Sequence, residues 1–377
     1  MGIEKLGIGE EIEARDKRVL LREMYEVLGV KDRVEFPGAQ PVTMSRRNLS
    51  DLKEKDYYVC EKSDGIRALL YVVEIKGKSY VFLMDRKGTF IRVPKRLSAG
   101  AGCGLFDGEI IDKKNGKFVF LIFDVLISNG KSVLKESLYS RLNAASRFIY
   151  ENRHEEKGER EGFFRVQVKM MHKSYGLAEV YRKIIPELLH ENDGLIFTCV
   201  EHPYEIGTCR GYLKWKPPYL NTIDFRMRKK KGLEGCYLLY VLAGFEKEAM
   251  FGYYWTEEIV ESMEENKRQE GSEKKTHYTE PIDYSALDGK IGEFSYIEKE
   301  YSVDPESYEV EQGRWSLLRI RTDKNTPNAY RTAHSIVKSI KENLAYTELE
   351  HSVAEIRQNW KERENRKRKP EEQKNKR

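Results

Sequence analysis

The segment from about Tyr57 to Leu126 constrains the fold most. Short apolar runs alternate there with turn signals: Ala68-Leu69-Leu70-Tyr71-Val72-Val73, Tyr80-Val81-Phe82-Leu83-Met84, and Phe118-Val119-Phe120-Leu121-Ile122-Phe123. Runs of this length, rich in β-branched and aromatic residues and separated by Lys-Gly or Asn-Gly pairs, read as antiparallel strands joined by hairpins. Helical spacing follows, at Leu138, Leu142, Ala145 and Phe148, and again at Leu177, Val180, Tyr181 and Ile184 before Pro186 restarts the pattern. The expectation is an α+β domain of antiparallel sheets with flanking helices.

After Ile223-Asp224-Phe225 the composition changes, and a basic stretch from Arg226 to Lys231 opens a second set of strands, including Cys236 to Leu242 and Trp315 to Ile320. The domain boundary is expected near Arg226, giving domains of residues 1–225 and 226–345. Residues 346–377 would form a C-terminal helix and basic tail. Glu257 to Glu280 is polar and charged, a pattern of exposed loop or short helix. Helical periodicity returns between Asn328 and Trp360, through Ile336, Ile340 and Leu344.

The net charge of +5 misleads as an average. Arg357 to Arg377 alone holds ten Lys and Arg against four Glu, so the rest of the chain is nearly neutral. Basic surface on the folded part must therefore come from local clustering. Asn365-Arg366-Lys367-Arg368-Lys369-Pro370 fits a nuclear-import signal, an RNA-binding arm or solvated, disordered charge, and the sequence leaves these open. No run approaches the roughly 18 apolar residues of a membrane-spanning helix, and Met1-Gly2-Ile3-Glu4-Lys5-Leu6 is too polar for a signal peptide. The protein is expected to stay inside the cell, with no membrane partner. The five cysteines are odd in number and lack a C-x-x-C pair, which suggests neither a disulfide framework nor a zinc site.

Gly-Lys-Ser occurs twice, at Gly77-Lys78-Ser79 and Gly130-Lys131-Ser132, but the Gly a P-loop needs five positions earlier is Val72 or Val125. Both read better as hairpin turns. Glu61-Lys62-Ser63-Asp64-Gly65-Ile66-Arg67 is the stronger signal, since Lys62 follows a strand-like run and precedes a Gly turn. A lysine becomes a nucleophile when burial and positive neighbours favour its neutral form, so a useful lysine has cationic company. Leu213-Lys214-Trp215-Lys216-Pro217 offers it, because a strand places residues i and i+2 on one face. An edge strand with two solvated lysines is the plainer alternative. Leu318-Arg319-Ile320-Arg321-Thr322-Asp323-Lys324 repeats the pattern of paired cations. Carboxylates interrupt apolar strands at Asp107 and Glu109, at Asp124, and at Asp193. Taken singly, each is equally a turn residue or the partner of a nearby arginine.

Their order carries more. Lys-x-Asp-Gly-x-Arg, then Asp-Gly-Glu, Phe-Asp, Asp-Gly-Leu-Ile and Leu-Lys-Trp-Lys-Pro together resemble the covalent nucleotidyltransferases, the superfamily of capping enzymes and polynucleotide ligases. The resemblance spans about Lys62 to Lys324. Thr198 to Phe225 is similar to mRNA-capping guanylyltransferases of fungal type, and Arg319 to Lys324 resembles the capping-type closing motif and not its ligase version. The resemblance implies a nucleotidyltransferase domain followed by an oligonucleotide-binding (OB) barrel. GTP would be the substrate, Lys62 the residue that carries GMP, and the 5′-diphosphate end of RNA the acceptor.

The further roles are likewise implied by resemblance. Lys214 and Lys216 would grip the α-phosphate, Arg67 and Glu109 the ribose, and Arg86 the sugar and phosphates. Phe123 would stack on guanine with Ile196 on the other face, although both also fit an ordinary core. Lys169 would read the guanine edge. Mg²⁺ or Mn²⁺ would be held by Glu109, Asp193 and Asp224, directly or through water. Arg319, Arg321, Asp323 and Lys324 would form the closing motif, Arg321, Asp323 and Lys324 reaching the β- and γ-phosphates; pairing of Arg319 and Arg321 with surface acids is the plainer alternative. A nuclear location, a separate RNA 5′-triphosphatase and the phosphorylated C-terminal domain of RNA polymerase II follow as expected partners. No triphosphatase activity is expected, since the residues before Lys62 are too few for a phosphatase domain and contain neither His nor Cys before Cys60. The competing readings are an ATP-dependent polynucleotide ligase and a noncatalytic nucleic-acid-binding protein.

Overall fold

The computed structural model describes residues 2–30, 35–100, 102–112, 117–153, 164–217, 220–260, 286–342 and 344–374. These fall into two compact units, Met1–Trp215 with Tyr346–Arg377, and Lys216–Ala345.

The first unit holds two sheets. One runs in the order β1 (Glu10–Glu11), β6 (Phe90–Val93), β5 (Lys78–Asp85), β4 (Ile66–Ile75), β7 (Cys103–Asp112), β8 (Phe118–Ser128) and β10 (Phe164–Val168), with β9 (Lys131–Ser132) also on β8. The other runs β11 (His172–Lys173), β3 (Tyr57–Ser63), β12 (Asn192–Cys199), β13 (Gly207–Trp215) and β2 (Ala39–Thr43). Pairing is antiparallel except at two edges, where β10 joins β8 and β2 joins β13 in parallel. The turns at Lys76-Gly77 and Asn129-Gly130 have positive φ at both residues, the geometry that lets a two-residue hairpin follow the strand twist. Both Gly-Lys-Ser sequences are therefore hairpin turns.

Strand alternation explains the layering. On β4, Ala68, Leu70 and Val72 enter one core with Phe106, Phe120 and the helix residues Ala145 and Phe148. Leu69, Tyr71 and Val73 enter the opposite core with Leu20 and Met24 of the helix Ala14–Leu28 and with Tyr204 and Tyr212. The sheet is thus covered on both faces, and each fully buried Leu or Val contributes roughly 1.5–3 kcal/mol. All five cysteines are buried and unpaired.

The second unit is one antiparallel sheet in the order β16 (Glu248–Trp255), β15 (Cys236–Leu242), β14 (Thr222–Lys229), β17 (Ile291–Val303) and β18 (Val310–Ile320). Its edge strands curl together, with Gly252 of β16 against the Trp315 indole of β18 and Tyr253 donating to Glu311 at 2.8 Å. Phe225, Phe294, Tyr254 and Trp315 fill the interior. A five-stranded antiparallel sheet curled this way is a barrel of OB type.

Three details differ from the sequence reading. The boundary expected at Arg226 lies inside β14, a single strand of the second unit, so the division comes earlier, at Lys216. Leu177 to Glu187 is one helical turn followed by a five-residue π-helix and a 3₁₀ turn instead of a regular helix. The basic C-terminal segment extends the helix Val353–Lys374, which folds onto the first unit: Trp360 stacks on Tyr58 at 6.2 Å, and Arg363 pairs with Asp56 at 2.7 Å. Of the stretch Glu257 to Glu280, residues 261–280 lie outside the described residues.

Candidate active site

A cleft lined by residues of both sheets opens in the first unit. Phe123 and Ile196 show how the strands build it. Each is the half-open position of a strand otherwise buried at its centre, β8 and β12 respectively, and each lines the cleft from a different sheet. Lys62, Arg67, Arg86, Glu109 and Lys169 line it as well.

Lys62 sits near the end of β3, and its Nζ donates to Asp193 Oδ1 at 2.6 Å. A β-bulge makes that contact. The β3–β12 register slips between Asn192 and Leu195, so Asp193 and Gly194 stand against Lys62 alone, and the one extra residue brings Asp193 toward the lysine. Gly65, in the turn after Lys62, is required by packing, since a Cβ there would stand 2.3 Å from the carbonyl oxygen of Ile110.

Arg67 is held rigidly. Its guanidinium forms a two-point pair with Asp107, with Nε at 3.0 Å from Oδ1, and Tyr204 donates its hydroxyl to the same carboxylate. Arg67 also lies over the rings of Phe36 and Phe123, at 5.6 and 5.4 Å. Arg86 leaves the tight turn after β5, which Asp85 fixes by accepting from the backbone N–H groups of Lys87 and Thr89, both at 2.9 Å. Burial and the nearby Arg67 lower its pKa. Burial pushes the Glu109 carboxyl up to about 7, against the pull of Arg67, Lys169, Lys62 and Arg86. Lys169 pairs with Glu61 at 2.7 Å and donates to Ser63.

This is a pocket for an anion carrying a flat ring: apolar faces on two sides and four cations, among them the hydrogen-bonded Lys62. Residues 6–218 match the family described as mRNA capping enzyme, catalytic domain, and residues 220–350 match mRNA capping enzyme, C-terminal domain. The chain belongs to the mRNA capping enzyme family. It is 34% identical to the mRNA-capping enzyme subunit alpha of Neurospora crassa, over 92% of this chain and 91% of that protein. It is 30% identical to the Schizosaccharomyces pombe protein of the same name, over 94% and 89%. A mycobacterial DNA ligase D complexed with ATP and MES covers 78% of this chain and 98% of its own at 16% identity and a TM-score of 0.39, too loose a likeness to bear on the choice of nucleotide.

Within this capping-family chain, Lys214 stands in register with Ile196, which in turn pairs with Cys60. Directly opposed residues share a sheet face, so Lys214 belongs to the row that includes two cleft residues. Lys216 does not extend that row, because β13 ends at Trp215 and Lys216 begins the second unit.

In the second unit Arg319 pairs with Glu293 at 2.7 Å, and Arg321 meets both Asp323 at 2.8 Å and Asp224 at 2.9 Å. Lys324 also pairs with Asp224. The buried Asp224 carboxylate, expected to help hold a metal, carries Arg321 and Lys324 in this structure. Glu109 and Asp193 belong to the first unit.

Sequence reasoning gave no role to Glu61, Ser63 or His190, which form one cluster with Lys169. It likewise missed Arg141, which makes a two-point pair with Asp124 beneath the cleft.

Proposed function

We propose that this chain is a GTP:mRNA guanylyltransferase, taking GMP from GTP onto Lys62 and passing it to the 5′-diphosphate end of RNA to form the GpppN cap. One observation carries the reading: Lys62 Nζ, anchored to Asp193, opens on a cleft whose cations and apolar faces suit a purine nucleotide. Nζ attacks the α-phosphorus of GTP, so a P–N bond forms as the bond to the bridging oxygen breaks and pyrophosphate leaves. Before it attacks, Nζ gives a proton to Asp193, its hydrogen-bond partner, which frees the lone pair that forms the P–N bond. In the second step a terminal oxygen of the RNA β-phosphate attacks the same phosphorus, the P–N bond breaks, and Nζ regains a proton. Covalent capture divides one hard transfer into two displacements.

Arg67, Arg86 and Lys214 offset charge at the sugar and phosphates, Phe123 and Ile196 sandwich the base, and Lys169 reads its edge. Glu109 and Asp193 are oxygen donors of the kind Mg²⁺ or Mn²⁺ takes, and Glu109 is a carboxyl among cations with no ion-pair partner of its own at bonding distance among the described residues. A bound metal would screen the triphosphate charge and orient the leaving pyrophosphate. Arg321, Asp323 and Lys324 are assigned to the β- and γ-phosphates, with Lys216 on the α-phosphate. The same reading implies a nuclear protein that works with a separate RNA 5′-triphosphatase and the phosphorylated tail of RNA polymerase II.

Incubation with divalent metal and either GTP or ATP, followed by intact-mass spectrometry, tests the nucleotide. An adduct of GMP alone supports capping. An AMP adduct supports the ligase alternative, and no adduct under varied metals overturns both.

A further inference from the structure

His190 lies outside the strands, between the 3₁₀ turn Ile185–Glu187 and β12, and does not line the cleft. Its side chain is nonetheless only 8% exposed. Its Nε2 stands 3.2 Å from Ser63 Oγ and 3.5 Å from Glu61 Oε1. Those two groups are the ones that hold Lys169: Glu61 at 2.7 Å from Nζ, and Ser63 as a hydrogen-bond acceptor. Ser63 also donates to Glu61 at 3.3 Å.

We propose that His190 is a positioning residue for base recognition, fixing Glu61 and Ser63 so that Lys169 presents one N–H to the carbonyl oxygen at C6 of guanine. The inference rests on the reading of Lys169 as the residue facing the guanine edge.

Counting donors gives the reason. An ammonium has three N–H groups, and Glu61 and Ser63 take two of those on Lys169. The third is left over, and Lys169 itself lines the cleft. Its direction is fixed only while both partners are fixed. Glu61 and Ser63 have rotamer freedom of their own, and His190 touches both through one nitrogen from behind the cleft. With Nε2 protonated, the ring donates toward the Glu61 carboxylate and blocks rotation of the Ser63 side chain. A fixed N–H donates to the C6 carbonyl oxygen of guanine and opposes the C6 amino group of adenine, itself a donor. A site built to hydrogen-bond one partner rejects the analogue that cannot comply, because a buried group is then left unpaired.

The test compares His190→Met, which keeps the volume and loses the N–H, with His190→Gln, whose amide N–H reaches a similar place. Adduct formation on the full chain is followed by intact mass at varied GTP and ATP. For His190→Met, the GTP concentration at half-maximal rate should rise about tenfold, the loss of roughly one well-made hydrogen bond. The saturating rate should stay within about threefold, and the preference for GTP over ATP should shrink with the affinity. His190→Gln should recover most of both. Unchanged half-saturation and preference in His190→Met would overturn the proposal. So would an equal loss with both nucleotides that Gln does not rescue, the mark of a merely structural residue. A wild-type chain that forms no GMP adduct would instead overturn the guanylyltransferase reading, which separates the two failures.

Discussion

Two Arg–Asp–Tyr knots in the first unit have nearly the same chemistry and different work. In one, Arg67 pairs at two points with Asp107, and Tyr204 donates to that carboxylate. In the other, Arg141 pairs at two points with Asp124, and Tyr212 donates in the same way. Arg67 reaches the cleft, whereas Arg141 is fully buried and spends its remaining N–H groups on the Tyr212 hydroxyl and the carbonyls of Glu136 and His202. The two tyrosines pack edge to face at 6.1 Å, so the knots share a wall. An ion pair's geometry does not tell binding from scaffolding. The direction its cation faces does.

The comparison can be broken most strongly at Arg141. Arg141→Met leaves the Asp124 carboxylate charged and buried, which should cost about 3–5 kcal/mol in denaturant unfolding. Where the variant remains folded, its GTP affinity should be near wild type. Arg67→Met should instead raise the GTP concentration needed for adduct formation at least about tenfold, the loss of a charged hydrogen bond to substrate. Equal effects of the two variants on GTP would erase the distinction.

The cleft's other buried pair sharpens it through pH. Burial tends to raise Glu61, but the hydrogen bond from His190 and the charge of Lys169 win and hold it at about 2. A depressed carboxyl stabilises the fold above its unfolded pKa of about 4.5, and that contribution is lost as pH falls through the window down to about 2. Between pH 5 and 2 the wild type should lose about 3 kcal/mol more stability than Glu61→Gln. Parallel curves would show that the pair is not what holds the carboxylate.

The tyrosines give the smallest effect. Tyr204→Phe and Tyr212→Phe should each cost about 1–2 kcal/mol, because each leaves a buried carboxylate one donor short. Only Tyr204→Phe should also weaken GTP, through Asp107 and Arg67. The same shift in both would mean that the shared wall, not the separate knots, positions the arginine.

Much of this was legible in the sequence where local pattern decides. The strand runs and the two Gly-Lys-Ser hairpins followed from alternation and turn chemistry, because those signals act over a few residues. Phe123 and Ile196 were named by resemblance, and their half-open positions in buried strands are consistent with it. What could not be read depends on contacts far apart in the chain. The bulge that delivers Asp193 to Lys62 leaves no mark in composition. Arg141 is one arginine on a helix until Asp124 is known to lie beneath it, and His190 is a lone histidine until Ser63 and Glu61 surround it. The C-terminal helix was expected, but its docking was not, because Trp360, the residue that seats it between Tyr58 and Tyr175, is a single aromatic in a polar run. Lys216 was grouped with Lys214 by strand spacing as well as by resemblance, and the strand ends between them.

The central claim is that Lys62 carries the nucleotide, and peptide mapping after incubation with GTP and divalent metal tests it most directly. A single GMP should be found on the peptide containing Lys62, and Lys62→Ala should form no adduct while keeping the wild-type unfolding midpoint. GMP on any other residue, or an undiminished adduct in Lys62→Ala, would contradict the account.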